Sequence, residues 1–454
     1  MLSGSWWTSE APSVRLPGSL VRVDGRWRLD LIGTWMVNTG GEGLAVAPPQ
    51  TIFGACRGRS YSLHNCYLQR YETPHSFDVE DSDDQNQMQW SGGALIEGGH
   101  FALDHSFKIA SFRMTGLSRW WPSSGLVGRN ASKSIEDYKE PTPLQVDAGE
   151  GFSISVGVAS TERRGRRVRS LQENVRVWVS KDSGFTLSEL NQIIGPMRSL
   201  VAISNDHPAE VFDLRLGPLL GNLVDPGVNE LEDDAYVPGF FNADLHPMDP
   251  FIRNWISLAR GNIVPMDVAE PRRTEEALQN RVVNAVSAAE TLQRMLYPEP
   301  SETPNSDLPG RVAAAMSQVG GFNSRDRKKV TTTLSHSSVS LEKRLVQLAE
   351  GLGDEVAEWL YKGQVRDWAF VAMQVRNVLS HGFSASHGVE ADAGALVGIL
   401  RLTQATLRLG LIAGAGGPVG QPLLDLIRGD LGYRALAFQE IADWKALRAR
   451  ISPS

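Results

Sequence analysis

The feature that most constrains this chain is a change of hydrophobic period partway along it. In the first part apolar and polar residues alternate, as on a half-buried strand, whereas from Thr274 onward the apolar residues recur at helical spacing. One stretch cannot satisfy both periods, so the sequence predicts a β-rich part followed by an all-α part. At 454 residues the chain is long enough for two or three domains. Its 41% hydrophobic and 21% charged content supplies an ordinary core, and 44 Gly with 24 Pro fit a strand-and-turn component.

The β signal is clearest in Val21-Arg22-Val23-Asp24-Gly25-Arg26-Trp27-Arg28-Leu29-Asp30-Leu31, where alternation runs on both sides of a two-residue turn. A second hairpin is expected across Arg57-Gly58-Arg59, between Thr51–Phe53 and Tyr61–Leu63. Further strands are expected at Phe101–Leu103, Phe107–Met114, Phe152–Val158 and Val175–Val179. A helix is expected at 187–202, kinked or split at Gly195-Pro196. The Pro-, Asp-, Asn- and Gly-rich stretch 225–271 reads as a connection wrapping over the surface. Thr274-Glu275-Glu276-Ala277-Leu278 resembles a capped start to a helix ending near Leu296, and Pro298–Pro309 is a polar loop. Later helices are expected at 310–318, 340–361, 365–381, 391–412, 421–430 and 434–449. The expected organisation is α+β: a β-rich region 1–224 with a helix near 186–204, a connecting segment 225–271, and a helical domain 272–454.

A net charge of −7 argues against bulk coating of nucleic acid. The basic residues are nonetheless 36 Arg and only 9 Lys, a bias suited to local, bidentate phosphate contact. No uninterrupted apolar run reaches the length of a membrane span, and Met1–Trp7 lacks a basic region followed by an apolar one. A cytoplasmic protein is therefore expected. Two cysteines, Cys56 and Cys66, are too few for a disulfide framework or a four-thiolate zinc site.

The sharpest chemical motif is Val375-Arg376-Asn377-Val378-Leu379-Ser380-His381-Gly382 at the end of an expected helix. Asn377 and His381 are four apart and share a face; Arg376 lies about 100° round from Asn377. Val375, Val378 and Leu379 would face the core, and Gly382 suits the left-handed position that closes a helix. The bare spacing Arg-x4-His carries little information, since it also occurs at Arg59–His64 and Arg70–His75. The alternative is a helix C-terminus where His merely favours the dipole.

An Arg-Asn-x3-His motif on a late helix of a C-terminal bundle resembles the HEPN ribonucleases. The long helix carrying Asn284-Ala285-Val286-Ser287-Ala288-Ala289-Glu290 resembles the first HEPN helix of ApeA-type proteins. Gly4–Trp7, Pro17–Leu20, Ile52–Gly54 with Leu63, Gly99–Phe101, Leu117–Trp120 and the helix at 187–202 resemble that family's β-rich N-terminal domain. The resemblance implies a metal-independent endoribonuclease that needs no cofactor, cleaves tRNA in bacterial anti-phage abortive infection, and pairs two HEPN domains in a homodimer. It carries over to Arg376, Asn377 and His381 as catalytic residues, with Glu290 as an acidic position. The residue types suit the chemistry. His381 transfers protons near neutrality, Arg376 stabilises charge on phosphate oxygens, and Asn377 orients the imidazole or donates to phosphate.

Other clusters have plainer readings beside functional ones. Arg163-Arg164-Gly165-Arg166-Arg167-Val168-Arg169 suits an RNA backbone or a solvated hairpin tip. Arg325, Arg327, Lys328 and Lys329, inside the helical domain, are the better RNA contacts. Cys56, His64, Cys66 and His75 have the spacing C-x7-H-x-C-x8-H, which matches no standard zinc pattern. His100 and His105 flank a strand-like segment, and Gly414–Gly420 lacks the Lys-Ser or Lys-Thr of a phosphate loop. The Trp pairs Trp6-Trp7 and Trp120-Trp121 suit sheet packing. Two rivals to the nuclease stand: a non-catalytic HEPN interaction or RNA-binding module with a β-rich sensor, and a ligand-binding β-protein. The latter would need paired carboxylates, and its acidic cluster, Glu80, Asp81, Asp83 and Asp84, resembles a solvated loop.

Overall fold

A computed structural model describes residues 1–35, 51–72, 87–125, 138–164, 169–218, 221–225, 239–244, 247–261, 263–271, 276–298, 308–319, 321, 323–328, 339–381, 388–438 and 443–452. The chain forms two compact units, Met1–Arg260 and Gly261–Ser454.

The first unit is built on one sheet. Its strands are β1 (Leu2–Thr8), β2 (Leu16–Val23), β3 (Arg26–Ile32), β4 (Thr51–Cys56), β5 (Arg59–His64), β6 (Tyr67–Glu72) and β7 (Gln87–Gly92). They continue as β8 (Ala94–Glu97), β9 (Phe107–Met114), β10 (Leu144–Gly149), β11 (Phe152–Arg164), β12 (Arg169–Phe185), β13 (Val211–Leu216) and β14 (Asn222–Val224). The spatial order is β10-β11-β12-β9-β13-β14-β8-β5-β4-β1-β2-β3-β7-β6, with antiparallel pairing throughout the described residues.

Local chemistry explains the ladders. Asp24 and Gly25 take φ of 49° and 79°, the double left-handed turn that matches strand twist. Trp27, Leu29 and Leu31 then face inward, with Arg28 and Asp30 on the other face. The second hairpin turns on Arg57 and Gly58 alone, because Arg59 already pairs with Cys56. Phe101–Leu103 is not a strand. Phe101 N donates to Ser62 Oγ, and its ring packs on His105 and Phe107, which fixes this stretch as a loop over the sheet.

The sheet curls on itself. A Cβ on Gly92 of β7 would stand 2.4 Å from Leu63 of β5, although the two strands are not ladder neighbours. Asp225 closes the curl by accepting from Trp27 Nε1 of β3 at 2.7 Å and from the Leu95 amide of β8 at 2.8 Å. Inside sit Trp6, Leu20, Leu29, Ile52, Leu63, Trp90 and Leu95, all but inaccessible to water.

The other end of the sheet is covered by helices. After α1 (Leu117–Trp120) comes α2 (Leu187–Asn205), started by a capping box between Thr186 and Glu189. Against the expected break, α2 runs unbroken through Pro196. Its buried face of Leu190, Ile193, Met197, Leu200 and Val201 spans the proline and outweighs the single lost bond. Within 225–271, expected to be connection, the chain forms α3 (Met248–Gly261) and α4 (Ile263–Ala269). Trp255 of α3 is buried and donates from Nε1 to Pro196 O at 2.8 Å.

The second unit is helical. It continues from α4 with α5 (Leu278–Leu296), α6 (Leu308–Val319), α7 (324–328), α8 (Leu341–Glu350), α9 (Asp354–Tyr361) and α10 (Val365–His381). A 3₁₀ turn (Val389–Ala391) leads to α11 (Ala393–Gly414), α12 (Gln421–Gly429), α13 (Leu431–Phe438) and α14 (Trp444–Ile451). The α+β expectation, a β-rich part followed by a helical bundle, is what the chain adopts. Helix α11 is long and apolar enough to cross a membrane, but 78% of its apolar window is buried against the rest of the bundle, as in a core helix. The stretch 340–361 divides at Gly351–Gly353, where Gly353 takes φ of 101°. The stretch 434–449 also departs from a single helix, because α14 starts afresh behind an Asp443 cap. Helix α5 begins behind Ala277 without a side-chain cap, and Thr274 lies outside the described residues.

Candidate active site

Helix α10 presents the motif. Trp368, Ala369, Val371, Ala372 and Val375 are fully buried, and the helix packs on α5, α8 and α14. From Arg376 the environment opens: Arg376, Asn377, Val378 and Leu379 are half-buried and Ser380 is exposed. Val375 thus faces the core as expected, whereas Val378 and Leu379 reach it only in part. The start of the helix is fixed by Arg448 of α14, which donates to Asp367 Oδ1 at 3.0 Å and covers the Phe370 ring at 4.7 Å. The Lys445 amide donates to Gln364 Oε1. Trp368 packs on Tyr361 with ring centroids 4.8 Å apart.

Arg376 Nη1 donates to Asn377 Oδ1 at 3.2 Å, while Arg376 Nε is buried with no hydrogen-bond partner among the described residues. His381 is the last residue of α10, one turn beyond Asn377 on the same face. Its side chain, and Gly382, fall outside the described residues. The backbone therefore brings the three positions to one open helix end, with a guanidinium that retains unused donor capacity.

Glu290 of α5 accepts from Arg294 Nη2 at 2.6 Å and lies 4.0 Å from Arg344 Nε of α8. Arg344 is only 3% exposed, and its Nη1 donates to buried Gln293 Oε1 at 2.9 Å. Gln293 Nε2 in turn donates to Gln347 Oε1 at 2.8 Å. Sequence reasoning missed this buried Arg344–Gln293 pair, although both residues occupy core-facing positions of otherwise apolar helix stripes.

Of the basic cluster, Arg325 and Lys328 are exposed on α7, and Arg327 Nη1 donates to Ser317 Oγ of α6 at 3.2 Å. Lys329 lies outside the described residues, as do the side chains of Arg163–Arg169; Arg164 and Arg169 form the last pair of the β11–β12 ladder.

The Cys/His set does not assemble. His64 pairs with Thr51, and Cys56 lies five residues farther along β4, about 16 Å away at strand spacing. Both cysteines are buried in the sheet core, where burial raises the Cys56 thiol pKa and pushes that of Cys66 up to about 12. Burial pushes the His64 pKa down to about 4. His75 lies outside the described residues, among which no group of three metal-ligating side chains converges. His100 accommodates sheet packing, with Nε2 against Gly54 O and its ring between Trp7 and Phe53. Trp6, Trp7, Trp120 and Trp121 are all buried packing residues. Gly414–Gly420 joins α11 to α12, and Glu80–Asp84 lie outside the described residues.

Comparison with protein families agrees with this division. Residues 1–220 match ApeA N-terminal domain 1, and residues 283–418 match Apea-like HEPN. The second match contains most of α5 and all of α8, α10 and α11, and with them Arg376, Asn377 and His381. HEPN domains are generally ribonucleases, typically bind RNA and often dimerise. No curated protein and no solved structure matches the chain.

Proposed function

Because the chain has the ApeA-type architecture, a domain-1 β unit followed by a HEPN unit, we propose that it is a metal-independent endoribonuclease that cleaves tRNA in bacterial anti-phage defence. The observation that carries this reading is the open end of α10. There Arg376 is bonded to Asn377, which lies one helical turn before His381, and its buried Nε has no hydrogen-bond partner among the described residues.

RNA supplies its own nucleophile. A base removes the 2′-hydroxyl proton, the 2′-oxygen bonds to phosphorus, and the bond to the 5′-oxygen breaks as an acid protonates that leaving group. The products are a 2′,3′-cyclic phosphate and a 5′-hydroxyl, with atoms and protons in balance. His381 serves as base or acid, a role worth roughly 10²–10⁴-fold. Arg376 faces the extra negative charge on the phosphorane, and Asn377 holds the guanidinium in place. One motif provides one imidazole, so a homodimer apposing two α10 ends supplies base and acid together. Arg325 and Lys328 of α7, with Arg327 and Lys329, contact the RNA backbone. The enzyme acts in the cytoplasm, and a phage-derived partner acting through the β unit releases its activity.

The test uses purified wild-type, Arg376→Ala and His381→Ala chains incubated with total tRNA in EDTA, followed by mapping of fragment ends. Cleavage by wild type alone, leaving cyclic phosphate, is expected. Equal cleavage by all three would place the activity elsewhere. RNA binding without cleavage, even with phage lysate added, would favour a non-catalytic RNA-binding module.

A further inference from the structure

The β11–β12 hairpin outgrows the sheet that carries it. β11 has 13 residues and β12 has 17, and their ladder runs without a register shift from Phe152↔Lys181 to Arg164↔Arg169. β10 pairs only with Phe152–Val156 of β11, and β9 pairs with β12 only from Val177 onward. Glu173 marks the last tie to the body of the unit: its carboxylate accepts from the Gly125 amide at 2.8 Å and from Ser124 Oγ. Beyond it come the pairs Thr161↔Gln172, Glu162↔Leu171, Arg163↔Ser170 and Arg164↔Arg169, with no third strand among the described residues. Consecutive strand residues point to opposite faces, and Thr161 and Glu162 are both exposed, as are Ser170 and Gln172. These four pairs therefore form a ribbon open to water on both faces, about 13 Å long at strand spacing.

A free two-stranded ribbon is marginal by itself, and this one carries charge that opposes its pairing. Arg163, Arg164 and Arg169 occupy its last two register positions, and the sequence adds Arg166 and Arg167 between them. Glu162 supplies one carboxylate on the Arg164 side. Arg164 and Arg169 stand directly opposite each other, an arrangement that destabilises a ladder when the charges are alike. The whole chain is acidic, with a net charge of −7, so five arginines within 163–169 reverse the sign locally. A charge density of this kind at the end of a free ribbon suits a polyanion. Guanidinium groups match phosphate in bidentate contact. HEPN domains typically bind RNA, which makes RNA the polyanion this chain meets.

We propose that the β11–β12 ribbon is a docking arm for the phosphate backbone of the RNA substrate. The identity of the polyanion rests on the endoribonuclease reading; the arm itself belongs to the first compact unit, whereas Arg376, Asn377 and His381 belong to the second. The major groove of A-form RNA is too deep and narrow for side chains to read, and its minor groove is wide and shallow. The arm therefore takes phosphates across the minor groove or along a single strand. It adds affinity and carries no base-sequence information.

The test is fluorescence anisotropy of labelled total tRNA with the full-length Arg376→Ala chain as parent, in KCl from about 50 to about 200 mM. Adding Arg163→Gln, Arg164→Gln and Arg169→Gln should weaken binding about tenfold or more, and reduce the slope of log K against log[salt] by about two to three. Lys at the same three positions keeps the charge and should retain the slope. A control set, Arg57→Gln, Arg428→Gln and Arg434→Gln, removes equal charge from other exposed positions and should bind as the parent does. All variants should share the parent's melting curve, because the ribbon lies outside the core. Parent-like affinity in the ribbon Gln variant overturns the arm and leaves the run to an acidic protein. An equal loss in the control set, or no tRNA binding by the parent, overturns it as well. Cleavage by the chain with Arg376 intact is scored separately. Ribbon-dependent binding without cleavage upholds the arm and rejects the nuclease; cleavage with ribbon-independent binding does the reverse.

Discussion

The Arg376 guanidinium and the Asn377 side-chain amide are joined by a 3.2 Å hydrogen bond, Nη1 donating to Oδ1. Consecutive helical residues point about 100° apart, so this bond swings the guanidinium round the helix toward the flank that Asn377 shares with His381. An amide holds the cation without neutralising it. Asn377→Asp would keep the bond but turn it into an ion pair, removing the positive potential offered to a phosphate. Cleavage should fall by roughly tenfold or more while the fold persists, since charge-assisted pairs are about twice as strong as neutral ones. Initial-rate assays with unaltered thermal melting check this; full activity in Asn377→Asp would remove Arg376 from charge stabilisation.

The chain Arg344–Gln293–Gln347, buried at its first two members, supports the bundle beside the motif helix. Gln293→Leu conserves volume but leaves Arg344 Nη1 without its acceptor. Stranding a donor on a buried charge costs about 2–3 kcal/mol. Urea denaturation followed by the helical signal should show that loss. The double variant Gln293→Leu/Arg344→Met should recover part of it, because the stranded Nη1 donor is gone.

How much of this was legible beforehand follows from where the information lies. The Asp24–Gly25 hairpin and the bounds of α10 are local matters, written in turn residues and in period, and both were readable. The unbroken course of α2 through Pro196 was not, because it depends on a buried face supplied by distant elements. Helices α3 and α4 were hidden by Pro, Asp and Asn content that suggests loop, although Phe251, Ile252, Trp255 and Ile256 already carry helical spacing. Of the site, Arg376, Asn377 and His381 were visible as a motif. The free reach of the β11–β12 ribbon was invisible, since it depends on where β9 and β10 stop pairing.

Core packing in the curled sheet gives a contrast between two glycines. A Cβ on Gly54 would stand 2.4 Å from the ring of fully buried Trp6, with no free space to absorb it. Gly54→Ala should cost about 1–3 kcal/mol as overpacking. Gly25→Ala meets no atom within 4 Å and should cost only about 1 kcal/mol, through its φ of 79°. Denaturation of the two variants side by side checks the ranking, and equal losses would refute the tight Trp6–Gly54 approach.

His64 should make the β unit acid-sensitive above the range where most carboxylates titrate. It is 1% exposed, with Nδ1 3.3 Å from Thr51 Oγ1 and Nε2 buried without a hydrogen-bond partner among the described residues. Burial holds its folded pKa at about 4, against 6.5 for the free side chain. Between those values the unfolded chain takes up a proton that the folded chain refuses. Stability from the neutral imidazole is therefore intact above pH 6.5 and is lost as pH falls toward 4. At pH 5 the loss is about 2 kcal/mol, from 1.36 kcal/mol per pH unit below 6.5. Comparing wild type with His64→Gln isolates this contribution from the carboxylates, which titrate alike in both. The difference in unfolding free energy between the two proteins should shift by about 2 kcal/mol between pH 7.5 and pH 5, against the wild type. A difference that stays constant over this interval would mean that His64 is protonated equally in the folded and unfolded chains.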